Sequence, residues 1–436
     1  MKNIIFILII SLGSSSCSGE EYKLYTVSVS NKYGFINGKG TIIIKPQYEE
    51  VQEFSEGLAP VKLNGFWGYI DTNGAEKIKS VYKWASQFKE SRASVVTQDD
   101  ISTFINHDGD ILFPQGFEYL QDFQEGFAPV NSHGKWGFID KNGKLVIDYK
   151  YDESIFTGAG PPEEVMQFQP YGFLEERVPV RLNKKFGFID TKGKAITDFI
   201  FDFVDYFHFG LAGVYSGEKA GIINKNGKYV LPLEYDEIGI ITNSLISVSK
   251  NGKYGYIDHS GKIVIPLQFD AAESFLAGRG KIGRKDFKGN LKFGYIDSSG
   301  NQIVKPIYDN GYTFDSKGYA IVEIGNKSGV IDTNGKYAIP LIPDIKFESH
   351  EGYKFGDAKK LYYHDYISDG TITYKNVKTG KYGFMKIDGK RITNPIFSYA
   401  EPFQDSIAKV YISDKISADK FGYIALDGKY IWKPLR

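Results

Sequence analysis

The chain has 436 residues, of which 53 are Lys or Arg and 53 are Asp or Glu, so its formal net charge is zero. Removing the first sixteen residues takes away Lys2 and no acid, which leaves 52 basic against 53 acidic residues, or −1. This balance argues against a nucleic-acid-binding protein, because phosphate binding needs an excess of basic charge on one face. The 48 Gly, 32 Phe and 31 Tyr favour short strands and tight turns over helices.

The N-terminus has the layout of a secretory signal. Lys2 precedes an apolar run from Ile4 to Ile10, and small residues follow, so residues 1–16 are predicted to be a signal peptide. The run is too short to span a bilayer as a helix, which needs about 20 apolar residues. Without a lipid on the following cysteine, this signal would release a periplasmic or secreted protein.

A short phrase built on an aromatic residue and a glycine recurs along the chain. The shared glycine stands at positions 34, 68, 137, 187, 221, 255, 294, 329, 383 and 422, and a degenerate copy has Thr103 in its place. The successive steps are 34, 35, 34, 50, 34, 34, 39, 35, 54 and 39 residues. Self-similarity at such a period predicts a repeat architecture.

Each copy contains two tight turns. One follows the phrase, as in the segment 71–74 (DTNG), and the other precedes it, as at Asn64-Gly65. Asp at the start of a turn accepts backbone N–H groups, and Gly at its end adopts positive φ. Two tight turns join three strands, so the sequence predicts about eleven three-stranded antiparallel meanders and an all-β fold.

A single meander cannot fold alone, because the few apolar side chains that it buries do not offset the conformational entropy of about 34 ordered residues. The units must therefore stack on one another. Eleven units do not match the usual ring of four to eight propeller blades. We therefore expect an open superhelical or solenoid-like stack, with one or more closed propeller-like rings as the alternative.

The phrases resemble those of a known bacterial repeat. The segments 134–147 (GKWGFIDKNGKLVI) and 123–130 (FQEGFAPV) are similar to the WG repeat, whose Trp-Gly pair stands here as Trp67-Gly68 and Trp136-Gly137. The resemblance covers residues 22–436. It implies an all-β repeat fold and no particular activity, because the family has none in common.

Cys17, the chain's one cysteine, directly follows the predicted signal peptide. The arrangement resembles a bacterial lipoprotein signal, which implies a lipidated Cys17 and a short linker over residues 17–21. It also implies an exported protein of the cell envelope, anchored by its lipid to the outer membrane. The alternative is a cysteine that only happens to follow the cleavage site.

Two insertions interrupt the array, at residues 157–177 and 343–380. Long loops on a rigid scaffold often carry binding residues; the alternative is that these are neutral surface insertions or edge covers. Aromatic faces stack on sugar rings and peptides, which makes a set of aromatic residues candidates for binding: Trp67, Trp136, Tyr362, Tyr363 and Tyr366. The alternative for the two Trp residues is a place in the repeating core.

Signs of catalysis or metal binding are weak in this sequence. His350, His364 and Asp365 lack the spacing of a metal site, and no phosphate-binding loop or nucleophile elbow occurs. We therefore predict no catalytic residue, cofactor or metal. The function that we expect is a non-enzymatic binding or scaffold protein of the cell envelope that mediates protein–protein contacts.

The alternative function is a carbohydrate- or peptidoglycan-binding module that uses exposed aromatic residues, and a hydrolase with a carboxylate pair is a third hypothesis. The expected partner is an unknown protein or glycan of the envelope, and no nucleic acid. A membrane contact is expected only through the N-terminal lipid.

Overall fold

The computed structural model describes residues 23–152, 172–348, 365–413 and 421–433. The regular structure in these ranges is β-strand. No helix there is long and apolar enough to cross a membrane. The predicted signal peptide, the linker 17–21 and Cys17 lie outside the described residues.

The strands form eleven antiparallel sheets, here called units 1 to 11 in chain order. Units 1 to 4 contain β1 (Tyr25–Val29), β2 (Lys32–Ile36), β3 (Ile42–Tyr48); β4 (Glu50–Val51), β5 (Leu58–Leu63), β6 (Phe66–Asp71), β7 (Glu76–Tyr82); β8 (Trp84–Ala85), β9 (Ala93–Val96), β10 (Ser102–Ile105); β11 (Tyr119–Leu120), β12 (Phe127–Ser132), β13 (Lys135–Asp140) and β14 (Leu145–Tyr151). Units 5 to 8 contain β15 (Arg177–Leu182), β16 (Lys185–Asp190); β17 (Phe203–Val204), β18 (Leu211–Ser216), β19 (Lys219–Asn224), β20 (Tyr229–Tyr235); β21 (Glu237–Ile238), β22 (Ile246–Lys250), β23 (Lys253–Ile257), β24 (Ile263–Phe269); β25 (Ala271–Ala272), β26 (Gly280–Lys285), β27 (Leu291–Ile296) and β28 (Gln302–Tyr308). Units 9 to 11 contain β29 (Asn310–Gly311), β30 (Tyr319–Ile324), β31 (Lys327–Asp332), β32 (Tyr337–Pro343); β33 (Ile345–Phe347), β34 (Thr371–Asn376), β35 (Tyr382–Lys386); β36 (Tyr399–Ala400), β37 (Ile407–Tyr411), β38 (Phe421–Ala425) and β39 (Tyr430–Trp432).

The tandem antiparallel meanders are confirmed, and most units carry one more strand than predicted. Within the described ranges seven sheets have four strands. The additional strand has two residues, as in β4, which pairs Glu50 with Lys62 and Val51 with Val61. Two residues are too few for hydrophobic alternation to reveal a strand.

The shared glycine allows the last strand of a unit to cross closely over the strand before it, as β7 crosses β6. A Cβ on Gly68 would lie 2.6 Å from both the carbonyl oxygen of Ile78 and the backbone nitrogen of Ser80 in β7. Unit 3 has Thr103 at this position, and its side-chain hydroxyl donates to the carbonyl oxygen of Phe113 at 2.7 Å. The sheet of unit 3 consists of β8, β9 and β10, with no strand after β10, and the sheets of units 5 and 10 also end at the strand that carries the glycine, although they keep Gly187 and Gly383.

Replacing this glycine should strain the sheet. In Gly68→Ala, β7 must move away from β6, and we expect a loss of about 1–3 kcal/mol in the free energy of unfolding, as for other overpacked sites. Urea denaturation measures this loss. Gly38→Ala is the matched control, since its Cβ would meet side chains and no backbone: the end of Ile407 at 3.3 Å and the ring of Tyr25 at 4.0 Å. Equal stability of the two variants would contradict the close crossing.

The eleven units close into a ring. Each of ten buried apolar clusters joins one unit to the next along the chain, and an eleventh joins unit 11 to unit 1. In that last cluster Val27 and Ile36 of unit 1 pack with Tyr423 of unit 11. The Tyr423 hydroxyl donates to the carbonyl oxygen of Thr26 at 2.9 Å, and Lys23 pairs with Asp405 at 2.9 Å.

This contact corrects the expectation of an open stack, because an open row of eleven units would leave the apolar faces of units 1 and 11 in water. The closed, propeller-like ring that was the alternative describes the arrangement. All eleven interfaces are therefore filled by packing between neighbouring units.

Aromatic pairs recur at these interfaces. A ring from the turn before the second strand of one unit packs edge-on or tilted against a ring of the preceding unit, with centroids 4.8 to 5.2 Å apart. The pairs are Phe35–Phe54, Tyr69–Phe88, Phe104–Phe123, Phe138–Phe173, Phe188–Phe207, Tyr256–Phe275, Tyr295–Phe314 and Phe384–Phe403. This geometry is favourable for aromatic rings, and it builds one hydrophobic core for each interface.

Candidate binding cavity

A carboxylate clamp holds many neighbouring units together. The Glu56 carboxylate of unit 2 accepts the backbone N–H of Ser91 in unit 3 at 2.9 Å. The equivalent Glu90 accepts the N–H of Gly126 at 3.0 Å. The series continues with Glu125 to the N–H groups of Glu175 and Glu176, Glu175 to that of Gly210, and Asp369 to that of Ser406. Such charge-assisted bonds tie a tight turn of each unit to the preceding unit.

Four successive units lack this acid. The sheet registers place Phe209, Asn243, Ala277 and Lys317 of units 6, 7, 8 and 9 at the position of Glu56. None of the four carries a carboxylate that could accept the N–H of the next turn. The interfaces that follow units 6 to 9 are therefore not clamped in this way.

A cavity of about 410 Å³ lies across two of these interfaces, between units 7 and 8 and between units 8 and 9. Units 7, 8 and 9 supply most of its lining, and Tyr366 reaches it from unit 10. Most of the lining residues belong to the two-residue strands of these units, directly follow them in the chain, or lie on the strand that pairs with them. The cavity is thus built from one position of the repeat, taken from several units.

A buried lysine is the main charged group of the cavity. Lys281 is 8% exposed, and its ammonium forms an ion pair with the Glu273 carboxylate. The ammonium also lies 4.7 Å from the centre of the Phe293 ring, where the negative face of the aromatic system attracts a cation. A buried charge requires such partners. The carboxylate remains about half exposed and can be reached from the cavity.

Hydroxyl groups line the adjoining wall. Ser247 and Ser274 are 2% and 5% exposed, and their Oγ atoms lie 3.3 Å apart. The Ser274 Oγ also accepts the backbone N–H of Ser247 at 3.1 Å. Gly239 lies close to both hydroxyls, since a Cβ at that position would lie 2.1 Å from the Ser247 Oγ, and a side chain there would displace them.

Two buried tyrosines hold the backbone beneath the cavity. The Tyr256 hydroxyl lies 2.8 Å from the carbonyl oxygen of Lys281, to which it donates, and the Tyr295 hydroxyl donates to the carbonyl oxygen of Tyr312 at 2.7 Å. Burial raises the pKa of both hydroxyls well above the usual range for tyrosine, so both remain protonated donors at physiological pH. They hold Lys281 and Tyr312 in place through the main chain.

The groups that line this cavity are suited to binding a ligand. The Lys281–Glu273 pair offers one charge of each sign, the serines offer hydroxyl donors and acceptors, and Tyr312 and Tyr366 contribute rings whose centroids are 6.0 Å apart. A concave site with a few placed polar groups is the usual form of a ligand-binding pocket. Among the residues that the structure describes, no group of three or more His, Cys, Asp or Glu could hold a metal ion.

The predicted binding aromatics differ in whether the structure places them at the cavity. Trp67 and Trp136 are 6% and 7% exposed and belong to interface cores, so they present no face to a ligand, which corrects their place among the candidates. Tyr366 lines the cavity. Tyr362 and Tyr363, like Cys17, lie outside the described residues.

The insertion predicted at 343–380 is shorter in the structure, because strands of unit 10 occupy both of its ends. Residues Ile345–Phe347 and Thr371–Asn376 form β33 and β34 of unit 10, and residues 349–364, with His350 and His364, lie outside the described ranges. Asp365 accepts a hydrogen bond from the backbone N–H of Ser316 at 3.1 Å. Of the insertion at 157–177, residues 172–177 are described, and Arg177 begins β15.

No sequence motif pointed to Lys281, Glu273, Ser247 and Ser274 as site residues. One signal was available, because the phrase that reads APV at 59–61 and 128–130 reads GKI at 280–282. The cation thus replaces a proline of the repeat. What the sequence could not provide is the proximity of the two serines, which belong to different units.

The comparisons with known proteins agree with the repeat. The model of a family described as "WG containing repeat" matches residues 33–65, 67–99, 103–136, 136–157, 186–219, 221–254, 254–280, 293–327 and 382–415. A search of curated proteins found no match.

The solved structures to which the chain is similar include propeller and repeat proteins. One is a eukaryotic initiation factor, with 10% identity, 94% of this chain and 95% of that chain covered, and a TM-score of 0.43. Another is Hsv2 of Kluyvelomyces marxianus, with 10% identity, coverage of 54% and 85%, and a TM-score of 0.29. The WD40 β-propeller domain of Doa1 has 10% identity, coverage of 64% and 97%, and a TM-score of 0.23. Similarities this weak carry no information about function.

The nine segments that the family model matches cover well over half of the chain and meet the sheets of all eleven units. The glycine that this repeat shares is the residue over which the last strand of the unit crosses. The chain belongs to the family of proteins with the WG containing repeat.

Proposed function

We propose that this protein is a non-enzymatic binding or scaffold protein of the cell envelope, and that its cavity receives a segment of a partner protein. The observation that carries the proposal is the Lys281–Glu273 pair, held at the wall of a 410 Å³ cavity. The half-exposed Glu273 carboxylate, which Lys281 holds in place, can pair with a partner, and the serine hydroxyls suit main-chain amides. Export and lipidation of Cys17 remain part of the proposal, supported by the N-terminal sequence alone.

The cavity supports a protein partner better than a glycan. Sugar rings stack on open aromatic faces, whereas Tyr366 is 3% exposed. A peptide segment needs hydrogen-bonding groups and charges more than flat rings, and the cavity offers those. The clamps that join other neighbouring units are missing from the two interfaces that it spans, which leaves room for the segment.

The proposal predicts that the charge of Lys281 is needed for capture of the partner. In Lys281→Met the volume stays similar and the ammonium is lost, and we expect at least a tenfold loss of affinity, or about 1.4 kcal/mol. The parent protein, from residue 17 onward and carrying Cys17→Ser, is immobilised and incubated with envelope extract. Free Lys281→Met protein is added as a competitor, and the concentration that halves the amount of captured protein gives its relative affinity.

Lys409→Met is the matched control. Lys409 occupies the equivalent position in unit 11, 4.2 Å from the centre of the Phe421 ring, and does not line the cavity. The Lys409→Met variant should therefore bind the partner with the same affinity as the parent protein. Equal loss in both variants, or binding to a glycan array without any captured protein, would contradict the proposal. Thermal melting of both variants checks that they fold.

A further inference from the structure

One hairpin of the ring projects an aromatic side chain into solvent. In unit 8 the segment between β26 and β27 has five residues, 286–290 (DFKGN), where most units have a two-residue turn such as Asn64-Gly65. Phe287 at its tip is 94% exposed, the largest exposure among the large hydrophobic residues that the structure describes. Exposing a phenylalanine to this degree forgoes the stabilisation that burial provides.

The loop holds Phe287 outward through its own hydrogen bonds. The Asp286 carboxylate accepts the backbone N–H groups of Lys288 at 2.8 Å and Asn290 at 2.9 Å. Its carbonyl oxygen accepts the N–H of Gly289 at 2.9 Å, and Gly289 adopts a φ of +82°. The tip is therefore an ordered turn, and its hydrogen bonds hold the Phe287 ring in solvent.

Basic residues surround the ring. The segment 284–292 contains Arg284, Lys285, Lys288 and Lys292 against one acid, Asp286. Lys292 is paired with Asp309, whereas Lys285 and Lys288 are exposed. The Lys288 ammonium lies 5.5 Å from the centre of the Phe287 ring. An apolar tip ringed by cations is complementary to a surface that is negatively charged outside and apolar beneath.

A second hairpin has the same character. In unit 10 the turn after β34 places Val377, 55% exposed, beside Lys378, whose side chain is 72% exposed although it pairs with Asp344. Equivalent hairpins repeat the same strand pairing in every unit, so they lie on the same edge of the ring. Units 8 and 10 thus direct two apolar, basic tips to one side, with one unit between them.

We propose that this edge of the ring docks on an anionic lipid surface, with Phe287 inserted among the headgroups and Lys285 and Lys288 paired with lipid phosphates. Aromatic rings favour the interface between headgroups and acyl chains, and basic residues near an anionic leaflet add electrostatic attraction. The contact is separate from the cavity and does not require a lipid on Cys17. It orients the ring on the membrane.

Tryptophan placed at the tip reports insertion directly. The protein from residue 17 onward, carrying Cys17→Ser and Phe287→Trp, is mixed with vesicles of phosphatidylglycerol and phosphatidylcholine. We expect the added emission, relative to the protein without this substitution, to shift to the blue and to be quenched by brominated acyl chains. Because each basic residue near such a surface contributes about fivefold, Lys285→Gln together with Lys288→Gln should weaken partitioning about 30-fold.

Phe209→Trp is the matched control. Phe209 is 47% exposed and precedes β18, at the end of the strand opposite the hairpin, so its emission should not change with vesicles. Unchanged emission from position 287, equal shifts at both positions, or equal binding to pure phosphatidylcholine would overturn the proposal. So would a shift at position 287 that requires an envelope protein and does not occur with lipid alone.

Discussion

Val27→Asp should open the ring at the interface between units 1 and 11. Val27 is fully buried beside Ile36 and Tyr423, and an unpaired carboxylate there loses several kcal/mol of solvation. Separation of units 1 and 11 exposes the carboxylate at the lowest cost in free energy, because the other ten interfaces then stay intact. We expect a loss of about 3–5 kcal/mol in the free energy of unfolding, the range for an uncompensated buried charge.

Energy transfer between dyes on residues 39 and 429 measures the opening. The Cβ of a residue at position 40 would lie 2.3 Å from the Ile431 carbonyl oxygen, so the two labels sit across the closing interface. Transfer should fall in Val27→Asp. Val61→Asp is the matched control, since Val61 occupies the equivalent position in unit 2 and is 1% exposed.

Val61→Asp breaks the interface between units 1 and 2 instead. It should cost similar stability while transfer between residues 39 and 429 stays high, because units 1 and 11 remain in contact. High transfer in Val27→Asp, or a fall in both variants, would show that the ring does not close where the structure places the contact.

Repeat spacing was enough to predict the units but not their closure. The glycine positions predict eleven meanders because the crossing of the last strand, β7 in unit 2, over Gly68 is a local requirement. Closure depends on a small rotation between successive units, summed eleven times, and no residue encodes that sum. One sequence signal did exist, because an open stack needs polar terminal faces, whereas unit 1 keeps Val27 where unit 2 has Val61.

The candidate site was less accessible to sequence analysis than the fold. Trp67 and Trp136 drew attention because tryptophan is rare and its rings bind ligands, yet the same size makes it the residue that fills an interface. The cavity instead depends on departures from the repeat: Gly239 without a side chain, and Lys281 in place of proline. A departure from a phrase is visible in one sequence only after the phrase has been aligned unit by unit.

Phe123→Ala should have its largest effect in a ring that is already open. Phe123 is 1% exposed and packs 4.8 Å from the Phe104 ring, between units 3 and 4. Alone, the substitution should cost about 3–5 kcal/mol, the range for Phe→Ala in a core. One transition should persist, because the neighbours are still joined through the rest of the ring.

Combined with Val27→Asp, the same substitution divides the ring into units 1–3 and units 4–11. We expect urea unfolding of the double variant to split into two transitions, with a loss of stability that exceeds the sum of the single losses. Phe123→Leu in the same background is the control, since a substitution closer in volume costs less than about 1.5 kcal/mol and should leave one transition. Strict additivity with a single transition in the Phe123→Ala double variant would mean that cooperativity does not run around the ring, and that each unit is held by its near neighbours alone.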